Sequence, residues 1–256
     1  MKANVRIGGL VINSRPGTIV EGLYVGREGI TGWFSGVDPR LTAVPRAQGH
    51  GSFDVPSFLG DRTVSIPGHA LAPSPERLQW LGSSLTGVLT QGDSERVLVE
   101  YAGLTTWADA RLGAKTQFTP AFAGAKTADF QLQLWCPNPR RFGGTNTPDA
   151  GTTVTSLHYG NFPATSVITV SGSMSSGYTI NGPAGKVYTV TAAVVSGIPH
   201  VIDMATGLLM IDGVYVTGVV TQGDTWAVPP GMQVVQTLVP VSGTGTMSVA
   251  TLDTYI

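Results

Sequence analysis

Four histidines, sixteen carboxylates and a single cysteine are the groups in this 256-residue chain that could move protons, hold a metal or attack a substrate. His50, His69, His158 and His200 stand far apart, and no pair has helical or hairpin metal-ligand spacing. His50 lies in a Gly-rich stretch beside Asp54 and reads as a structural turn residue. No GxSxG elbow, Walker A loop or HExxH occurs, so acyl and phosphoryl transfer have no visible machinery. Cys136 excludes an intrachain disulfide and a cysteine zinc site. Within the apolar run DFQLQLWC it reads as a small buried hydrophobe. Asp203 and Asp212 flank the turn of IDMATGLLMID and could face each other across a hairpin, as a pair of carboxylates for glycoside hydrolysis would. Acids at hairpin ends more often cap turns. The expectation is a protein that is not an enzyme and that needs no metal or cofactor.

Binding without chemistry has more candidates. Trp226, Tyr159, Tyr178, Tyr188 and Tyr215 are rings of the second half that could stack on a sugar face, with Trp226 and Tyr159 the named candidates. Such sites also need Arg, Asn, His or Glu nearby, and this half has neither Arg nor Glu after Arg141. Trp226, just before Pro229-Pro230-Gly231, reads equally as a plug closing a sandwich. Arg140-Arg141 could touch DNA, but neither half of the chain has the Lys/Arg density of a nucleic-acid binder that neutralises phosphates by direct contact. An intersubunit salt bridge or a carbonyl-capping role suits the pair better.

The elements that must position these residues are almost all strands. Period-2 alternation marks Val5–Asn13, Thr18–Val25, Gly29–Phe34, SFDVPSF, RTVSIPGHALA, RVLVEYAG, TTWADARLG, TQFTPAFA and ADFQLQLWC, with a turn at Pro16-Gly17. One helix is predicted over about 74–90. Ser74 is a favoured N-cap, Pro75 suits the first helical position, and Glu76 complements the positive end of the dipole. Leu78, Leu81, Leu85 and Leu89 make one apolar stripe. Trp80 lies off that stripe; it either widens the buried face or contacts another subunit. Between Gly36 and Gly49 the stretch GVDPRLTAVPRAQG reads as a long exposed loop carrying Arg40 and Arg46. Loops of that length without structure of their own are usually functional or disordered.

Composition divides the chain. Up to Thr145 there are 14 Lys+Arg against 11 Asp+Glu, a net of +3. From Asn146 onward Lys186 faces five acids, a net of −4. The expected organisation is a domain over residues 1–143, a linker over 144–151 and a purely β domain over 152–256. Charged residues are only 12% of the chain, about half the usual share, which suggests surface covered by neighbouring subunits. No segment approaches the roughly 20 apolar residues of a membrane span, and no basic-plus-apolar leader opens the sequence. No membrane insertion is expected; the chain should be made in a cytoplasm and stay soluble until it assembles.

Three groups of motifs resemble one family. The first is GITGWFSGVDPR, the long loop, GHGSFDVPSFLGDRTVSIPGHALA and the helix ERLQWLGSSLTGVL. The second is DFQLQLWCPNPRRFG, with Asn138 where the family usually has Asp. The third is HYGNFPATSVITVSG, VIDMATGLLMIDGVYV and DTWAVPPGMQVV. In this order they resemble the distal tail proteins, or minor tail proteins, of long flexible-tailed bacteriophages (siphoviruses). The resemblance implies a mainly β fold: an N-terminal β-sandwich or barrel-like ring domain with one α-helix, then a C-terminal galectin-like β-sandwich. It implies a homo-hexameric ring at the virion's tail tip, joining the tail tube protein ring to a tip or hub protein, near the tape-measure protein. DNA would pass through the lumen without specific binding. The outer domain would dock partners, or alternatively act as a module for cell-wall carbohydrate. Arg40, Arg46, Trp80, Arg140 and Arg141 are the interface candidates.

Overall fold

A computed structural model describes residues 3–14 and 21–256. The expected turn at Pro16-Gly17 and the start of the expected strand at Thr18 lie outside the described residues. The chain divides into two compact units, Met1–Arg141 with Ile256, and Phe142–Tyr255. It is mainly β, with one α-helix among the described residues.

The first unit holds β1 (Ala3–Ile7), β2 (Leu10–Asn13), β3 (Gly22–Val25), β4 (Pro39–Arg40), β5 (Val44–Pro45), β6 (Ser52–Phe53), β7 (Phe58–Leu59), β8 (Arg62–Leu71), α1 (Pro75–Thr86), β9 (Glu95–Tyr101), β10 (Leu104–Leu112), β11 (Gln117–Pro120) and β12 (Thr127–Cys136). Seven strands close on themselves in the order β12-β8-β3-β2-β1-β9-β10, with β10 returning to β12 through Arg111↔Trp135 and Leu112↔Leu134. Closure leaves those strands without a free edge. All pairings are antiparallel except β2–β3.

Alternation decides what faces inward. On β8 the buried positions run Arg62, Val64, Ile66, Gly68, Ala70; on β12 they run Ala128, Phe130, Leu132, Leu134, Cys136. At Gly68 a Cβ would lie 2.2 Å from the Phe130 ring, so only glycine lets that ring sit against the facing strand. Val5, Ile7, Ile12, Val97, Val99 and Ala108 complete the core from the other strands.

Helix α1 begins where its cap signals place it. Ser74 Oγ accepts from the Arg77 N–H at 3.4 Å, with Pro75 in the first turn. Leu78, Leu81 and Leu85 are buried in the same core as the barrel strands. The helix stops at Thr86, short of the expected 90. Gly87 caps it, and Leu89 adopts a positive φ of 57°, which no helix continues through.

Two stretches differ from their sequence reading. Val5–Asn13 is a hairpin turning at Gly8-Gly9, with Ile7 paired to Leu10, rather than one strand. Gly29–Phe34 is not a strand; only Thr31 bridges to Ser65. Trp33 is instead a fully buried plug whose Nε1 donates to Thr106 Oγ1 at 3.0 Å.

The second unit contains β13 (Arg141–Asn146), β14 (Thr153–Ser156), β15 (Ala164–Ser173), β16 (Tyr178–Asn181), β17 (Val187–Val190), β18 (His200–Asp203), β19 (Leu208–Ile211), β20 (Val214–Val216), β21 (Val220–Gly223), β22 (Ala227–Val228), β23 (Val234–Pro240) and β24 (Thr244–Tyr255), with one 3-10 turn at Pro183–Gly185. One sheet follows β13-β24-β15-β18-β19-β20, with β22 beside β15; the other follows β14-β23-β16-β17-β21. Ile168, Val170 and Val249 of the first face Ile180, Tyr188 and Leu238 of the second in one core. Residues 144–146, inside the stretch read as linker, finish β13, and the Asn146 amide donates to Asp253 at 2.8 Å.

Candidate functional site

The residues from Asp38 to Phe58 form the feature with the clearest outward purpose. The sequence reads this stretch as irregular, yet it folds as an arm of two short antiparallel ribbons. Pro39↔Leu59 and Arg40↔Phe58 pair nearer the base, and Val44↔Phe53 and Pro45↔Ser52 pair further out. The Gly60 N–H donates to the Asp38 carbonyl at 2.9 Å, and the Arg46 N–H to the Gly51 carbonyl at 3.1 Å. Every residue from Asp38 to Phe58 is exposed. A ribbon with solvent on both faces carries no inside-outside alternation, so periodicity could not reveal it.

Arg40 and Arg46 both lie on this arm. The Arg40 guanidinium stands 6.0 Å from the Phe58 ring and that of Arg46 stands 5.8 Å from Phe53. Each arginine therefore lies over an aromatic of the opposite limb, a cation–π contact of about 0.5–1 kcal/mol at an exposed site. Leu41, Val44, Val55 and the two phenylalanines are all exposed, Leu41 by 71% and Phe58 by 66%. A two-stranded ribbon on its own is marginal in water. So many apolar groups on one is the signature of a contact surface.

What anchors the arm is a residue that sequence reading passed over. Arg62 opens β8 at an inward-facing position and is 2% exposed. Its Nη1 donates to the carbonyls of Gly32 (2.5 Å), Ser35 (2.9 Å) and Trp33 (3.1 Å), and its Nε to Pro139 (2.9 Å). Burial lowers the guanidinium's pKa from its ordinary value, and carbonyl dipoles rather than a carboxylate compensate the charge. Gly32 has φ of +80° and a Cβ there would sit 2.0 Å from the Thr63 carbonyl oxygen, so the chain reaches Arg62 only through glycine. The legible signal was the β8 alternation itself, which puts residue 62 in phase with Val64 and Ile66.

Trp80 is 56% exposed, with the Arg77 guanidinium 4.7 Å from its ring and Arg77 Nε donating to Glu21 at 2.8 Å. Its other surroundings form a groove of about 600 Å³ between α1 and the β1–β2 turn, edged by Leu10, Val11, Val88, Asp93 and Glu95. Arg140 is exposed, and its N–H donates to Asn138 Oδ1 at 3.2 Å. Arg141 is 7% exposed, with its guanidinium near the rings of Trp33 and Phe34.

The sugar candidates separate. Trp226 is 5% exposed in the second core, its ring packed over Gly182, so it offers no face to a sugar. Tyr159 is 73% exposed, with its N–H donated to Asp253 at 2.7 Å. Asp203 and Asp212 do not face each other. Asp203 caps the 203–208 turn through the Ala205 N–H at 2.8 Å and the Thr206 hydroxyl at 3.1 Å, while Asp212 sits beyond the other end of β19.

The histidines lie in unrelated places. His50 is exposed on the arm, and His69 contacts Asp129 at 2.6 Å on the surface. His158 is buried, its Nδ1 accepting from the Gly160 N–H and its Nε2 facing the Val228 carbonyl at 3.1 Å. His200 is buried beside the Tyr178 hydroxyl, and desolvation lowers its pKa. Among the described residues no cluster of three or more metal-ligating groups exists. Burial pushes the Cys136 thiol up to about 11, which keeps it from acting as a nucleophile at neutral pH. No helix among the described residues is long and apolar enough to cross a membrane.

No protein-family model matches the chain, and no curated protein matches it in sequence. The fold does match solved structures. The crystal structure of the SPP1 Dit protein, described as a paradigm of hub adsorption apparatus in phages infecting Gram-positive bacteria, superposes with a TM-score of 0.77 at 10% identity, covering 99% of each chain. Two structures of the phage P2 baseplate in its activated conformation, with Ca and with Sr, give TM-scores of 0.47 and 0.45 at 8% and 9% identity, covering 97% of each chain. These two agree too loosely to carry an argument. The chain thus shares the fold of the SPP1 protein over its full length.

Proposed function

We propose that this chain is a structural, non-enzymatic protein of a siphovirus tail tip. In this reading its first unit forms a hexameric ring that joins the tail tube to the tip or hub proteins, next to the tape-measure protein. DNA crosses the lumen without specific contacts, and the chain is assembled into virions in the host cytoplasm. The observation that carries the reading is the superposition on SPP1 Dit across 99% of both chains, which matches the barrel unit and the sandwich unit together. The exposed arm adds a physical reason, because its apolar side chains need a partner. The galectin-like second unit is then an outward docking platform.

A module for cell-wall carbohydrate is less well supported. Trp226 is committed to the core, and Tyr159 stands exposed in a unit that has no arginine or glutamate between Phe142 and Tyr255.

Antibody against the chain, applied to particles of the phage that encodes it, should label the end of the tail distal to the head. Label along the tube or on the capsid, or none at all, would refute the assignment.

A further inference from the structure

We infer that the arm of one copy docks in the groove between α1 and the β1–β2 turn of a second copy, joining copies head to tail. The inference rests on the ring reading above and adds the two surfaces that would meet.

Placement is the first argument. The arm springs from the barrel end that holds Tyr101, where Phe34 packs against the Tyr101 ring at 4.9 Å and Trp33 bonds Thr106. The groove lies at the opposite end, where Ile7 pairs with Leu10 and Val97, and where β9 begins at Glu95. Along β9 those ends are about 20 Å apart at some 3.4 Å per residue. The arm of the same copy does not line the groove. A protruding element at one end and a recess at the other form a heterologous pair, which closes into a ring when the rotation between copies is right.

Chemistry is the second. The groove's two charged lining residues, Asp93 and Glu95, are both acids. Of the bases nearby, Arg77 pairs with Glu21, Arg111 donates to the Gly92 carbonyl beside Asp93, and Arg6 stands cross-strand from Val11. From Asp38 to Phe58 the arm carries Arg40 and Arg46 against Asp38 and Asp54, a net of zero, so the match with the groove's acids rests on the two guanidinium groups themselves. Its exposed Leu41, Phe53 and Phe58 meet an apolar floor of Leu10, Val11, Val88 and the free face of Trp80. A volume of about 600 Å³ seats several side chains, since a water takes only about 30 Å³ in the liquid.

The test is charge reversal with rescue in the full-length chain, read by light scattering. Asp93→Lys with Glu95→Lys should give monomers, and so should Arg40→Glu with Arg46→Glu. All four substitutions together should restore the ring, because the signs are again complementary. Melting temperatures report folding, and Trp80→Ala provides an independent groove variant should the lysine pair misfold; it too should be monomeric. Rings that persist in either reversal and in Trp80→Ala would overturn the docking while leaving the ring reading intact. Failure of the fourfold variant to recover, with both reversals folded, would overturn the pairing of these two surfaces. A monomeric wild-type chain would overturn both the docking and the ring.

Discussion

Arg62→Met should lower the stability of the first unit by about 3–4 kcal/mol. Methionine keeps the apolar stem but removes every donor from a site where four carbonyls converge, those of Gly32, Trp33, Ser35 and Pro139. A hydrogen bond to a charged donor contributes about 1.5–3 kcal/mol, and a buried group left unpaired costs about 1–3. Four such losses would exceed the expected value, but the Gly32, Ser35 and Pro139 carbonyls are only partly buried and can turn to water. The Trp33 carbonyl cannot. Calorimetry reads the total, and hydrogen exchange locates it: the segment entering the arm should open locally before the barrel does. Arg62→Lys should recover only part of the loss, because one ammonium cannot reproduce a planar fork aimed in two directions. A change below about 1 kcal/mol with unaltered exchange would mean that the arm is held by something other than this guanidinium.

Leu85→Ala should cost about 2–5 kcal/mol, the usual range for truncating a leucine in a packed core. Leu85 is fully buried, and it belongs to the same cluster as Leu78, Leu81 and the barrel side chains. The exact value depends on how far Phe118, partly buried against this cluster, can move into the space. Gln79→Ala on the exposed face of the same helix should change stability by less than about 0.5 kcal/mol. Equal effects at both positions would remove the helix from the barrel core.

The contrast between these sites explains what was legible in the residues alone. The helix announced itself because Ser74, Pro75 and Glu76 act locally and the leucine stripe repeats locally. Strands β8 and β12 were legible because one face of each is buried, which forces alternation. Barrel closure was not, since Leu112↔Leu134 joins residues whose pairing depends on the register of every strand between them. The arm was hidden because both its faces meet solvent.

Arg62 and Arg141 both occupy buried strand positions, which strand phase rather than charge reveals. Trp226 was open between plug and binding ring, and packing over Gly182 decides it.

The proposed function stands or falls on association, because an adapter between a tube and a tip has to encircle a passage for DNA. The direct measurement is the mass of the purified full-length chain in solution, by multi-angle light scattering at tens of micromolar protein. The account predicts about 160 kDa, six chains of 26.6 kDa each, or twice that mass if two rings stack back to back. A single species at 26.6 kDa throughout that concentration range would contradict it.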